Sequence, residues 1–143
     1  MRRDRVLRGA AAGAAAAAAW AAVEPLAARA CGTRFSDTRL VGRLVPGPDG
    51  LWPAAGTALH VANGAALGAV LGALGVRGPT AGLLWASAEG LAAWPGMAVV
   101  DRVHPDRRSG YWPRLLTDRR VFAQEAAMHA LFGLLYGLGT RRS

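Results

Sequence analysis

The chain contains no lysine and no isoleucine, and its one cysteine is Cys31. A lone cysteine excludes an intramolecular disulfide and any metal site built from several thiolates. Alternating runs of β-branched residues are missing as well, so the long apolar stretches do not read as strands. No nucleophile motif, phosphate-binding loop or cysteine-based zinc spacing occurs. Acidic residues are few: nine, against 17 basic residues that are all arginine, for a net charge of +8.

What remains is apolar and small. Of the 143 residues, 52% are hydrophobic and only 18% charged, with alanine and glycine dominant. Arginine without lysine on such a background is the bias of a GC-rich bacterial genome. The length suits one domain, 1–143. In a soluble protein a charge of +8 would point to nucleic acid. Here the arginines flank apolar segments, where they contact lipid headgroups and set topology, so the partner expected is a lipid bilayer and not nucleic acid.

Crossing the hydrocarbon core takes about 20 mostly apolar residues. Four segments qualify, at about 9–28, 54–76, 80–100 and 121–139. They predict an all-α fold, a four-helix transmembrane bundle. Arg77-Gly78-Pro79 makes a tight hairpin between the second and third spans, with Pro79 suited to a first helical turn. The other two connectors are long, rich in Arg, Asp, Pro and Gly, and each carries a Trp-Pro pair, Trp52-Pro53 and Trp112-Pro113. Both lie on one side of the membrane, opposite the hairpin and the termini. Ten arginines fall on the connector side and seven on the other, but Arg2, Arg3, Arg5 and Arg8 crowd the start of the first span. That cluster favours cytoplasmic termini in a bacterial cytoplasmic membrane.

The N-terminus also has the outline of a secretory signal ending at Ala28-Arg29-Ala30 before Cys31. Glu24 and Pro25 interrupt its apolar stretch, and Arg29 stands where a lipoprotein signal needs a small residue. An internal repeat argues further for a retained span. Trp20–Ala28 reads WAAVEPLAA and Trp85–Ala93 reads WASAEGLAA, with six of nine positions matching. His60, Gly64 and Gly68 are echoed by His129, Gly133 and Gly137. The offsets, 65 and 69 residues, describe two tandem helix hairpins related in parallel, about an axis along the membrane normal.

Ionisable residues inside spans cost about 2.5 to 3.5 kcal/mol when central and are functional candidates by default. The set is Glu24, His60, Glu89, Glu125 and His129, joined by Asn63 and Gln124. At about 1.5 Å per residue, all fall in the connector-side half of the bilayer. Each shares a helix face with small residues, the usual contact faces of membrane helices. They are therefore expected to meet inside the bundle as one polar centre. The centre has several readings. It ties helices together, in a structural or partner-binding subunit. It binds a metal through His60, His129, Glu89 and Glu125, or a haem through His60 and His129. Or it relays protons in a transport or redox role. A further alternative is an interfacial enzyme acting on a lipid phosphate. There His104 would work beside Asp101 and Asp106, with Arg102, Arg107 and Arg108 holding the anion. The glycine stripes would equally serve a homodimer or another membrane protein.

The Trp-x-x-x-Glu-x-Leu-Ala span and the Glu-x-x-x-His-x-x-x-Gly span, in Trp85–Arg108 and Phe122–Gly139, resemble small four-helix membrane proteins of actinobacteria. The resemblance covers under half the chain, implies fold and location, and carries no activity with it.

Overall fold

A computed structural model describes residues 2–141, the side chain of Asp49 excepted. Arg142, counted above among the terminus-side arginines, lies outside them. The described residues form helices and no strand. Helix α1 spans Arg2–Cys31, α2 Asp37–Gly42, α3 Trp52–Ala73, α4 Pro79–Ala93, α5 Met97–Val103, α6 Pro105–Arg108 and α7 Arg119–Gly139. Four stretches are long and apolar enough to cross a membrane: Arg2–Cys31, Trp52–Ala73, Pro79–Val103 and Arg119–Gly139.

The third span is broken. Trp94–Gly96 forms a 3-10 turn between α4 and α5, because Pro95 has no N–H to give the helix ladder and its ring crowds the preceding turn. By contrast, Pro25 stays within α1, and the alanine-rich helix continues past it to Cys31.

Packing orders the spans in the row α3–α1–α7–α4, with α1 and α7 inside. Glycine decides how closely its neighbours come. A Cβ on Gly9 would fall 2.2 Å from the Gly68 carbonyl oxygen, and one on Gly13 2.1 Å from that of Gly64. The α4–α7 crossing is as tight, with a Cβ on Gly82 falling 2.3 Å from the Gly133 carbonyl oxygen. Around these crossings Ala12, Ala16, Ala17, Trp20, Met128, Phe132 and Tyr136 form the main core. Leucines at 74, 84, 91, 134 and 138 face outwards, as lipid-facing residues do. Although α3 and α4 are joined by the hairpin, they do not pack along each other, and a cleft runs between them.

The long connectors are more than loops. Together they build a cap with its own small core of Phe35, Trp112, Leu115 and Val121. Helix α2 lies on the start of α3, where a Cβ on Gly42 would meet the Trp52 carbonyl oxygen at 2.3 Å. Arg39 of the first connector makes a two-pronged ion pair with Asp106 of the second, at 2.7 and 3.0 Å. The same guanidinium lies over the Tyr111 and Trp52 rings.

Candidate functional site in the bundle cleft

Glu24, on the buried face of α1, points at the start of α2. Its carboxylate accepts hydrogen bonds from the Ser36 hydroxyl (2.7 Å), the Thr38 hydroxyl (2.9 Å) and the Asp37 backbone N–H. Ser36 in turn caps α2 by accepting from the Arg39 N–H at 3.1 Å. A carboxylate at a helix N-terminus satisfies orphan donors and opposes the positive end of the helix dipole. Gln124 does similar work from α7. It accepts from the Thr33 hydroxyl and donates to the Phe35 carbonyl at 3.2 Å. These two residues fix the segment from Thr33 to Thr38 over the bundle.

That segment delivers Asp37, an acid the sequence reading did not single out. Its carboxyl is influenced most by its neighbour Glu125 among the charged groups, and it lies in the fields of Glu24, Glu89 and His129. Asp37 keeps some exposure to the cleft but is otherwise enclosed by protein. Burial is the main influence on it, with the Glu24 and Glu89 carboxylates adding, and its pKa is pushed up to about 6. The sequence did hold one signal for it: Ser-Asp-Thr is an N-cap pattern, and an N-cap predicts a short helix there.

The two histidines meet at Trp20. Their ring centroids lie 5.2 Å (His60) and 4.9 Å (His129) from the indole, both edge-on. Gly90 makes room for His129, since a Cβ there would fall 2.6 Å from the imidazole. The Nδ1 of His129 faces the Glu125 backbone carbonyl at 2.9 Å, and its Nε2 faces a Glu89 carboxylate oxygen at 3.2 Å. His60, Asn63, Glu89, His129 and Asp37 line one cleft of about 210 Å³. Three buried polar atoms around it find no partner within the protein: Trp20 Nε1, His60 Nε2 and Glu125 Oε1.

The predicted centre is thus divided. Glu24 and Gln124 belong to the cap, while Asp37 joins Glu125, His129, Glu89, His60 and Asn63 at the cleft. Among the described residues, no three His, Cys, Asp or Glu side chains gather as a metal site. Of the proposed ligands, Glu89 meets His129, but the Glu125 carboxyl turns to Asp37. Haem ligation by both histidines would need both Nε2 atoms on one iron, and that of His129 is held by Glu89.

The second connector also forms a closed network. His104 is buried, its Nδ1 accepting from the Asp106 N–H (3.2 Å) and its Nε2 donating to the Leu40 carbonyl (3.1 Å). Burial, the larger effect, holds its pKa below the usual value. Asp101 accepts from Arg107 (2.9 Å) and from the backbone N–H groups of Leu115 (2.8 Å) and Leu116 (3.0 Å). Arg102 and Arg108 remain exposed.

These features define a multi-pass helical membrane protein with a polar cleft beneath a structured cap. No protein-family model matches the chain, and no curated protein or solved structure does so either.

Proposed function

We propose that this is a multi-pass protein of a bacterial cytoplasmic membrane whose cleft binds and passes protons in a transport role, with its termini in the cytoplasm. The observation that carries the reading is a count of protons. A backbone carbonyl only accepts, so the Nδ1 of His129 carries hydrogen toward Glu125. Its Nε2 can then hold Glu89 only if a proton lies between them. The Asp37 and Glu125 carboxyls lie close enough to influence each other, and two like charges there would repel, which favours a proton on the pair. One proton is therefore shared by Glu89 and His129 in the span, and a second proton-holding pair, Asp37 with Glu125, stands beside it under the cap. Chains of membrane Glu and His are the usual material of proton relays.

Reconstitution in liposomes with an internal pH-sensitive dye tests this. Proton uptake above that of protein-free vesicles is expected, with loss in Asp37→Asn and in Glu125→Gln. Wild-type vesicles no leakier than empty ones would end the reading.

A helix-tying role fits one member, Glu24, whose carboxylate is consumed by the α2 terminus. Acid–base work on a lipid phosphate lacks a free imidazole nitrogen at His104. We further infer that the two hairpins are a tandem duplication packed through small residues. In support, the Ala17–Gly64 and Gly13–Gly68 contacts correspond, under the sequence offsets, to Gly82–Gly133 and Gly78–Gly137.

A further inference from the structure

The cleft between α3 and α4 continues outwards from the polar centre. Its outer part, about 370 Å³, is apolar, walled by Leu67, Leu71, Leu74 and Trp85 and ending at Glu89. Leu67 and Glu89 also line the inner part, so the two adjoin with Glu89 at their boundary. Small-molecule pockets run from about 300 to 1,000 Å³. Glu89 is ten residues into α4, about 15 Å from its start at 1.5 Å per residue. The cleft therefore opens sideways at mid-membrane depth, within reach of lipid-dissolved molecules and remote from those confined to water.

Its charge selects among those molecules. Asp37, Glu89 and Glu125 face the centre from α2, α4 and α7, and the Glu24 carboxylate of α1, engaged at the head of α2, adds its field; among the described residues His60 from α3 and His129 from α7 stand against them. Among the described residues no arginine lines either part. The Glu89 side chain is 42% exposed, an acid open to hydrocarbon on one side. Trp85 is one helical turn away on the same wall and 49% exposed, and an indole face attracts cations. An anionic head would be repelled here, and a neutral one could not take the place of the proton that Glu89 shares with His129.

We propose that this cleft binds a lipophilic cation, which enters from the bilayer, pairs with Glu89 and displaces the proton held between Glu89 and His129. One positive charge arrives and one proton leaves, so the charge of the site is unchanged. This rests on the proton reading above and names what competes with the proton.

Tetraphenylphosphonium is the probe, and its binding to the intact detergent-purified protein can be followed by equilibrium dialysis. Affinity is expected to weaken about tenfold per unit of falling pH where the pair is protonated, with one proton released per cation bound. Tetraphenylborate, an anion of the same shape, is expected not to bind. Glu89→Gln is expected to lose about a hundredfold in affinity, and Trp85→Ala about threefold. The first two measurements need no variant, so a poorly folding mutant does not block the test. Absence of binding, equal binding of tetraphenylborate, a pH-independent affinity, or a dimer that covers Trp85 and excludes the cation would each overturn the proposal. If proton flux in liposomes persists in any of those cases, the proton reading stands without it.

Discussion

Two acids one short segment apart have opposite tasks. Glu24 accepts three hydrogen bonds at the head of α2. In Glu24→Ala those donors lose their acceptor, at a cost of about 2 to 4 kcal/mol. Thermal unfolding in detergent should therefore show a clear loss for Glu24→Ala and a smaller one for Glu24→Gln; an unchanged midpoint would show that the cap does not depend on it. Asp37 instead carries a pKa raised from 3.8 to about 6. Folding therefore takes up a proton between those values, and its contribution to stability falls as pH rises through that window. His104, held low by burial, slopes the other way, so the useful quantity is the difference between wild type and Asp37→Asn. That difference should favour wild type at the acid end and shrink towards neutrality. A difference that grows with pH would contradict the assignment of Asp37.

Among the elements, the helix crossings were partly legible beforehand. Small residues on the Glu24, His60, Glu89 and His129 faces pointed to close helix contact, and Gly64, Gly68, Gly133 and Gly137 do lie against partner backbones. A Cβ on Gly68 would fall 2.2 Å from the Gly9 carbonyl oxygen, and one on Gly133 2.5 Å from that of Gly82. Backbone cannot yield as a side-chain tip can. Gly68→Leu and Gly133→Leu should each cost about 3 kcal/mol or prevent assembly, and duplicated hairpins would make the two losses similar. Gly96→Ala, with nothing within 4 Å of the added carbon, is the control. Monodispersity in detergent and thermal unfolding report both. Helix α2 was not legible, because six residues are too few for a hydrophobic period to register. Its only trace was the cap pattern at Ser36.

At the scale of the molecule, the connectors lock the two halves together. Asp106 is nearly inaccessible and held by both prongs of Arg39. Removing one partner of such a pair costs about 3 to 5 kcal/mol when fully buried. Arg39 keeps a fifth of its side chain exposed, so about 2 kcal/mol is expected for Asp106→Asn. Opening of the cap should free the backbone around Arg34, Arg43 and Arg114 for limited trypsin digestion ahead of global unfolding. Equal cleavage rates in wild type and variant would show that the pair does not hold the cap closed.

By itself the sequence determined that this is a bundle of four apolar helices with a few ionisable residues in or beside its spans. Span length and the cost of a charge in hydrocarbon are local quantities, readable one segment at a time. Tertiary structure decided which of those residues work together. It drew Glu24 into the cap, brought in Asp37 from a connector, paired Glu89 with His129 and left α3 and α4 apart. Those outcomes depend on how close the glycine crossings let the helices come and on where an unpredicted short helix lands. Neither is encoded in the periodicity of any single segment.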